Sequence, residues 1–598
     1  MELTLYKQYK ISIELTYFMF YIYNNKILFR KGRVFMIKRR PLDEDEYRSY
    51  ELKSDETKVS ARSLMKGAGL TDEEIYRPFI GICNSYSNFF PGHSNLDKIG
   101  QAVKDGILMG GGTPVEFGTI GVCDGMIMGT DGMKYSLPSR ELIADSVETM
   151  AKAHICDALV LVCACDKIIP GMIMGALRLD VPFIVVTGGP MLPGNHNGER
   201  VDVQNIAECA GQVIAGTLDS EVYCQYENEV CPTCGSCQGM FTANSMACMT
   251  EMLGISLPGT GTVPAVYAKR YHMAKRSGMR AVELAKYDFK PSDFITRESF
   301  MNAIKLDMML GCSTNTALHL PALAHEAGIK VTLEDFDRIG RETPHIVKLS
   351  PSGNHLMVDL ENAGGVSAVI RQGIECGYLW GEQETVTGKT IAENVENAVV
   401  RDAEVIRPFD APYSPEGGLA ILYGNLAPKG AVIKTAGVDP NMLEHSGPAK
   451  VFNSHQEALN GLIFGDIVPG DVIVLRYEGP KGGPGMQEML MLTALMCGMG
   501  MDKDIALVTD GRFSGLSRGG VIGHVSPEAA LGGNIALVEN GDIITYSTSK
   551  RTLNVEVSDE VLEERRKNLE PYDCPVKTGW LARYAKLVGP VSDGAVLE

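Results

Sequence analysis

Residues 158–186, ALVLVCACDKIIPGMIMGALRLDVPFIVV, decide the fold of this chain. The segment begins with a short apolar run at 158–164, which is typical of a strand buried on both faces of a sheet. An apolar run of helical character follows at 172–179, and a second strand-like run occupies 181–186. Strand, helix and strand at this spacing predict a parallel βαβ unit, and therefore an α/β fold.

Three apolar runs of the chain end in residues that can bind metal ions. These endings are Cys83 after 79–82, Cys123-Asp124 after 118–122 and Cys165-Asp166-Lys167 after 158–164. Open α/β sheets bind their ligands at the carboxyl ends of the strands. One Asp-Gly after a strand is usually only a turn, but thiols and carboxylates at three strand ends predict a metal site at one rim of the sheet.

The bulk composition limits the class of protein. A chain of 598 residues is too long for one ordinary hydrophobic core, so two or more domains are expected. A hydrophobic content of 45% and a charged content of 22% are typical of a globular protein in water. The net charge of −18 argues against nucleic acid or an anionic membrane surface as the main partner.

The cysteines and the N-terminal segment indicate the compartment. No secretory signal precedes the 15 cysteines, so we expect free thiols in a reducing cytoplasm. The apolar run at 17–23 is shorter than the roughly 20 residues that a membrane span requires. Residues 1–35 differ in composition from the rest of the chain, and Met36 offers another start, so we treat 1–35 as an N-terminal appendage.

The pattern of predicted elements changes once along the chain. Up to about residue 388, apolar runs alternate with helical segments, which include 139–154 and 204–218. After about residue 398, Gly-Asp and Gly-Pro turns separate β-branched runs, which predicts a barrel-like domain rich in antiparallel strands. We therefore predict a parallel-sheet α/β domain over 36–395, followed by a β-rich, barrel-like domain over 396–598.

The sequence CPTCGSC (231–237) has a cysteine at every third position. This spacing begins a ferredoxin-type motif, but Phe241 occupies the place of the fourth cysteine. A structural zinc site would need a second pair of ligands, and none follows. The spacing alone leaves a cluster site and buried free thiols both open. Cys83, Cys165 and one thiol of this loop would complete a three-cysteine site, which leaves iron an open coordination position.

Six long motifs follow one another along the chain. They are NSYSNFFPGH (84–93), YSLPSRELIADSVE (135–148), CDKIIPGM (165–172), TCGSCQGMFTANSM (233–246), GPKGGPGMQEM (479–489) and TDGRFSGLSRGGVIGHVSP (509–527). In this order they resemble the dihydroxy-acid and phosphogluconate dehydratase family, from about residue 80 to the C-terminus. The resemblance implies a hydro-lyase with an α/β domain, a β-rich domain and a site between them, assembled as a homodimer or homotetramer.

The resemblance also implies an iron–sulfur cluster bound by Cys83, Cys165 and Cys237. Three thiols suit either a [2Fe-2S] or a [4Fe-4S] cluster, and we expect [2Fe-2S] because Cys83 supplies a third ligand. Some relatives lack a cysteine at the position of Cys83. Cys123 is an additional thiol near the metals, and the resemblance assigns no role to it.

A second metal site is implied by the same resemblance. Asp124, Asp166, Glu488 and a carbamylated Lys167 would bind Mg²⁺, and Ser514 would be the base. Mg²⁺ takes oxygen ligands, which a carbamate offers and an ammonium does not. By residue type alone, Lys167 at a strand end is usually a solvated lysine and Ser514 a turn serine, so both roles depend on the resemblance.

The implied reaction removes water from a 2,3-dihydroxy-3-methyl acid and gives a 2-oxo acid of valine and isoleucine biosynthesis. A sugar-acid dehydratase with the same metals is the nearest alternative, and its pocket should be more polar or basic. The segment FTANSM (241–246) favours the dihydroxy-acid branch. An iron–sulfur electron carrier is the alternative from another class, and it would leave the acidic residues and Ser514 without a role.

Overall fold

The computed structural model describes residues 40–598 of the chain. The predicted appendage at 1–35, with its apolar run at 17–23, lies outside the described residues. The chain divides into two units, Met1–Pro41 and Leu42–Glu598. The second unit is one compact body, so the predicted boundary between residues 395 and 396 stays a prediction.

A four-stranded sheet contains the segment that decides the fold. Its strands are β1 (Phe79–Asn84), β2 (Thr113–Gly118), β3 (Ala158–Cys163) and β4 (Phe183–Thr187). The order is β2-β1-β3-β4, and all three pairings are parallel. Every residue of β1, β3 and β4 is buried, as expected for strands covered on both faces. The predicted parallel α/β architecture is confirmed.

Helices connect and cover this sheet and continue to residue 395. In chain order they are α1 (Val59–Gly67), α2 (Asp72–Ile75), α3 (Leu96–Gly110), α4 (Asp124–Ile127), α5 (Ser136–Ala153), α6 (Ile168–Leu179), α7 (Val203–Ile214), α8 (Ser220–Glu229), α9 (Thr242–Met252), α10 (Ala268–Lys286), α11 (Pro291–Phe294), α12 (Arg297–Leu310), α13 (Thr316–Glu326), α14 (Leu333–Glu342), α15 (Met357–Ala363), α16 (Gly365–Glu375) and α17 (Ile391–Val395). The helices predicted at 139–154 and 204–218 are α5 and α7. A short hairpin, β5 (Gly194–His196) and β6 (Glu199–Val201), precedes α7.

One expected strand ends earlier than the sequence suggests. The apolar run at 118–122 begins at Gly118, the last residue of β2. Gly118 pairs with Asn84, the last residue of β1, and the Thr119 N–H still donates to Asn84 O at 3.1 Å. Because β1 ends at Asn84, the residues after Thr119 leave the sheet and lead into α4.

The second sheet has eight strands and is nearly closed into a barrel. They are β7 (Ala420–Leu422), β8 (Ala431–Ile433), β9 (Glu444–Phe452), β10 (Val472–Leu475), β11 (Ala506–Thr509), β12 (Gly520–Gly523), β13 (Ile543–Ser547) and β14 (Thr552–Val555), in the order β14-β13-β9-β10-β11-β12-β8-β7. A bridge between Tyr423 and Thr552 links the two outer strands. The predicted barrel-like architecture is confirmed.

The strand directions in this sheet are mixed, whereas the sequence predicts mainly antiparallel strands. β9 to β12 run parallel, with α18 (His455–Phe464) as the crossover helix between β9 and β10 and α19 (Leu490–Gly498) as the crossover helix between β10 and β11. The outer pairs are antiparallel. Two further helices, α20 (Asp559–Asn568) and α21 (Gly579–Leu587), follow the sheet. Within residues 40–598, no helix combines the length and apolar character needed to cross a membrane.

Candidate active site

Four loops meet beyond the ends of β2 and β3 and form the candidate active site. Two come from the first sheet, namely the segment that enters α4 and the segment Cys165-Asp166-Lys167 between β3 and α6. The other two precede α19 and follow β11, and a parallel bridge between Glu488 and Arg512 joins them. Residues distant in sequence, from both halves of the chain, therefore share one site.

Three predicted metal ligands form a compact group of carboxylates. Asp124, Asp166 and Glu488 each place a carboxylate oxygen so that all three atoms lie within 4.8 Å of one another. Asp124 and Glu488 are buried, and Asp166 is partly buried. Negative charges this close together in a buried site repel one another unless a cation lies between them. The group is therefore a candidate cation site.

Lys167 places its amino group among these carboxylates. Its Nζ lies 2.9 Å from Asp124 Oδ2, 3.3 Å from Glu488 Oε1 and 3.8 Å from Asp166 Oδ2, and its side chain is fully buried. Burial lowers the pKa of Lys167, and the nearby Arg512 lowers it further, although the carboxylates oppose this shift. Lys167 is therefore not solvated, although lysines at strand ends usually are.

Arg512 is a site residue that sequence reasoning missed, although it lies inside the motif at 509–527. Its guanidinium is fully buried and contacts Glu488, while Nε donates to Met486 O at 2.7 Å and Nη2 donates to Ser136 Oγ at 3.0 Å. A guanidinium holds its donors in a rigid plane, so Arg512 fixes the orientation of the Glu488 carboxylate.

Two neutral side chains also orient the acids, and both were missed. Ser136 Oγ donates to Asp124 Oδ1 at 2.7 Å, and Asn315 Nδ2 donates to Glu488 Oε1 at 3.4 Å. Burial raises the pKa of Asp124, but Lys167 and Arg512 outweigh burial and lower the pKa overall. Asp124 therefore stays ionised, in a form suited to binding a cation.

Two of the predicted cluster ligands lie in the wall of the same cavity. Cys165 and Cys237 line it together with Cys123, whereas Cys234 is not among its lining residues. The Cys123 and Cys165 thiols form a hydrogen bond that raises the pKa of Cys165, and burial raises it further. Burial is also the main cause that raises the pKa of Cys237. Cys165 has a φ of 62°, an unusual conformation for a residue with a side chain and one often found at functional turns.

The structure does not bring Cys83 to this cavity. Cys83 is the penultimate residue of β1, fully buried and in register with Leu161 of β3. The groups that interact with its thiol are Cys163 and Cys156, and none of these three cysteines is among the residues that line the cavity. The expectation that Cys83 would lie at the rim beside Cys165 is therefore not met by its position.

Ser514 lies in the cavity wall, in the loop after β11. Its side chain is buried, and Oγ accepts a hydrogen bond from the Leu516 N–H at 3.3 Å. The next residue, Gly515, packs closely on α9, since a Cβ there would lie 3.0 Å from Phe241 Cα. This close approach fixes the loop that carries Ser514.

The cavity has a volume of about 370 Å³ and a lining of two chemical kinds. Asp124, Asp166, Glu488 and the thiols are its polar part. Most of the remaining lining is apolar and includes Met126, Met128, Met191, Val203, Ile206, Ala207, Phe241, Leu490, Met491 and Leu516. Among the described residues that line it there is no lysine or arginine. The cavity thus suits a small acid with an apolar substituent.

Two family models match this chain over most of its length. The dihydroxy-acid/6-phosphogluconate dehydratase N-terminal model matches residues 77–394, and the corresponding C-terminal model matches residues 404–595. The chain belongs to this dehydratase family. Membership confirms the resemblance carried by the six motifs and makes the chain a hydro-lyase.

Individual relatives are similar to most of this chain over their own whole length. The dihydroxy-acid dehydratase of Clostridium botulinum is 54% identical over 551 residues, which covers 92% of this chain and 100% of that protein. The proteins of the same name from Acetivibrio thermocellus and Moorella thermoacetica are 53% and 52% identical, with the same coverage of both chains.

Proposed function

We propose that this chain dehydrates 2,3-dihydroxy-3-methyl acids to 2-oxo acids, the reaction of a dihydroxy-acid dehydratase. Relatives that carry this name match it over their whole length. The observation that carries the choice of substrate is the mainly apolar lining of the cavity that also contains the carboxylates. A sugar acid or its phosphate needs many hydrogen-bonding or basic groups, and the lining residues include no arginine or lysine.

The carboxylate group fits a divalent cation. Glu488 Oε2 is buried and has no hydrogen-bond partner among the described residues, which leaves one ligand atom unused. We propose that Asp124, Asp166 and Glu488 hold Mg²⁺, a hard cation that prefers oxygen ligands. The lowered pKa of Lys167 favours its neutral amine, the form that can react with carbon dioxide. The resulting carbamate would add a fourth oxygen ligand.

The thiols on the same cavity fit an iron–sulfur cluster. Cys165 and Cys237 are soft ligands placed close to the carboxylates, as a site with two different metals requires. We propose a [2Fe-2S] cluster, with [4Fe-4S] as the alternative. When bound, the two metal groups would act as Lewis acids toward the carboxylate and hydroxyl oxygens of the substrate.

The proposed reaction breaks the C2–H and C3–O bonds and forms a C2=C3 double bond. Ser514 Oγ, in its deprotonated form, would accept the C2 proton, because it lines the cavity together with the carboxylates. The Leu516 N–H donates to this oxygen and favours negative charge on it. Ser514 Oγ would then give the proton to the departing C3 hydroxyl, which leaves as water and restores the base. The enol becomes the 2-oxo acid when C3 takes a proton from solvent and the C2 hydroxyl loses one. The apolar wall keeps bulk water away from these steps.

An electron carrier is not favoured by this geometry. Such a protein needs a cluster but has no use for three converging carboxylates, a buried lysine between them and a serine in the same cavity. The arrangement has the parts of a catalytic site, which are groups that can bind, orient and deprotonate a substrate.

The proposal is tested with anaerobically purified holoprotein supplied with Mg²⁺. We expect 2-oxo acid to form from 2,3-dihydroxy-3-methylbutanoate and to form far more slowly from gluconate and 6-phosphogluconate. Val203→Thr, which makes the cavity wall more polar at similar size, should raise KM for the methyl acid without lowering the iron content. Faster turnover of gluconate or its phosphate would reverse the substrate assignment.

We further propose a homodimer or homotetramer that works in the cytoplasm and supplies the oxo acids that precede valine and isoleucine. All 15 cysteines are free, as expected in a reducing compartment. Light scattering during gel filtration measures the assembly. Growth of a valine and isoleucine auxotroph that lacks this enzyme activity tests the pathway.

A further inference from the structure

Two Cys-Asp pairs are placed alike around the candidate active site. Cys123-Asp124 follows β2 and Cys165-Asp166 follows β3, the two strands that flank β1. In both pairs the thiol and the carboxylate line the cavity, and both carboxylates belong to the compact acidic group. The pair that follows β3 supplies a proposed cluster ligand and a proposed Mg²⁺ ligand. The pair that follows β2 offers the same two groups to the same cavity.

A third Cys-Asp pair in the chain shows that the dipeptide alone does not make a site. Cys156-Asp157 precedes β3, at the opposite end of that strand from Cys165. Asp157 accepts hydrogen bonds from the Ser49 N–H and hydroxyl at 2.8 and 2.5 Å, which ties it into the fold. Neither residue lines the cavity. The position after the strand distinguishes the other two pairs.

Cys123 lines the cavity together with Cys165 and Cys237. Its thiol interacts with the Cys165 thiol, and it also interacts electrostatically with Cys237. The three cysteines come from three separate segments of the chain, so their approach is a product of the fold and not of local spacing. Three thiolates so placed would repel one another unless a positively charged group lies among them.

Cys83 has none of these relationships. Its side chain points to the same sheet face as Gly81, where an added Cβ would lie 2.8 Å from Cys156 Sγ. The groups that interact with the Cys83 thiol are Cys163 and Cys156, and none of the three lines the cavity. β1 is paired on both sides, with β2 and with β3, and this pairing fixes the direction of the Cys83 side chain.

We propose that Cys123, and not Cys83, provides the third thiolate of the iron–sulfur site. This inference rests on the proposed function, because that function calls for a cluster held by Cys165 and Cys237. In each of the two Cys-Asp pairs that line the cavity, the thiol would bind the cluster and the carboxylate would bind the divalent cation. Adjacent residues of the chain would thereby hold the two metal groups.

The experiment compares three alanine variants after anaerobic reconstitution with iron and sulfide. Cys123→Ala should bind roughly threefold less iron than wild type and change the electron paramagnetic resonance spectrum of the reduced protein, because a ligand is lost. Cys83→Ala and Cys231→Ala are the controls, and both should keep the wild-type iron content. Cys231 also lines the cavity but is exposed to solvent.

Several outcomes would overturn the assignment. Wild-type iron content and a wild-type spectrum in Cys123→Ala would contradict it. Loss of iron in a folded Cys83→Ala, or in Cys231→Ala alone, would contradict it as well. Circular dichroism of the apoproteins checks folding, and Cys123→Ser provides the same readout if the alanine variant does not fold. Full iron in wild type without turnover of 2,3-dihydroxy-3-methylbutanoate would count against the proposed substrate and leave the ligand assignment standing.

Discussion

Lys167 Nζ and Asp124 Oδ2 lie 2.9 Å apart, with the lysine side chain fully buried and the aspartate side chain only 7% exposed. A lysine so placed cannot reach solvent and is held among acids contributed by both halves of the chain. Buried charges of this kind are costly unless every partner is in place. The charge balance of the site therefore depends on this pair.

Lys167→Arg tests whether charge alone is enough at this point. A guanidinium stays charged, is planar and cannot become a carbamate, so we expect turnover to fall at least about 100-fold, the upper end of losses at supporting metal-site residues. Iron content should stay at the wild-type level, because the thiols are unchanged. Steady-state rates and iron analysis measure the two effects. Wild-type turnover in this variant would remove Lys167 from the metal site.

Cys165→Ser tests the thiol that occupies the strained turn after β3. A hydroxyl is a poor iron ligand, so we expect cluster binding and activity to be lost together. Cys234→Ser is the matched control, because Cys234 belongs to the same cysteine-rich loop as Cys237 but does not line the cavity. Iron, sulfide and turnover are measured on anaerobic preparations. Loss of iron from the Cys234 variant alone would show that the wrong cysteine was chosen.

Glu488→Gln separates the divalent cation from the cluster. The amide keeps the size of the side chain but removes the charge that a hard cation needs, and it leaves Arg512 without a full counter-charge. We expect the Mg²⁺ concentration for half-maximal activity to rise by roughly 10- to 100-fold, with iron content unchanged. Titration of activity with Mg²⁺ provides the measurement. An unchanged Mg²⁺ requirement would exclude Glu488 as a ligand.

The sequence predicts the first sheet well, because strands buried on both faces leave continuous apolar runs such as 158–164. The second sheet is harder to predict. Its turns look like those of an antiparallel barrel, and only the crossover helices α18 and α19 reveal that β9 to β12 are parallel. β2 ends at Gly118, where its neighbour β1 also ends, and no local sequence pattern predicts this end.

Sequence motifs predict part of the candidate site, whereas residues that join the site only through long-range contacts could not be predicted. Asp166 and Glu488 lie in the motifs, Asp124 follows an apolar run, and the fold brings the three together. Arg512 and Asn315 become site residues only through hydrogen bonds that span the fold. Cys83 shows the opposite case, since the alternation of side chains along a strand decides which face its thiol occupies, and a shift of one residue would reverse it.

Stability should depend on pH through Glu478, a buried carboxyl in the loop after β10. Burial raises the pKa of Glu478 from 4.5 to about 7. The folded protein therefore keeps a proton that the unfolded chain releases between these values, so the free energy of unfolding falls as pH rises from about 4.5 to 7. Glu478→Gln should remove this part of the pH dependence, on the order of 3 kcal/mol. The glutamine oxygen can still accept the His455 N–H.

Thermal unfolding at pH 5 and pH 8 measures this effect. The difference in Tm between the two pH values should be smaller in Glu478→Gln than in wild type. Glu560→Gln, at an exposed position in α20, is the control and should match wild type at both values. An unchanged difference in the Glu478 variant would show that this carboxyl titrates normally.

Ser514→Ala tests the proposed base. We expect the cluster spectrum and substrate binding to be retained and turnover to fall by roughly 10² to 10⁴, the usual contribution of a positioned general base. Ser517→Ala is the matched control, because Ser517 lies in the same loop and is buried, but its hydroxyl pairs with Thr493 and does not line the cavity. That control should keep near wild-type turnover.

Exchange of the C2 proton with deuterated solvent separates a lost base from a disturbed loop. If Ser514 Oγ takes this proton reversibly, substrate recovered from a partial reaction with wild type or Ser517→Ala will contain deuterium at C2. Substrate recovered from Ser514→Ala will not, even though it binds, because no group remains at that point to remove the proton. Exchange at the wild-type rate in the alanine variant would assign the base to another group around the carboxylates and leave Ser514 as a turn residue.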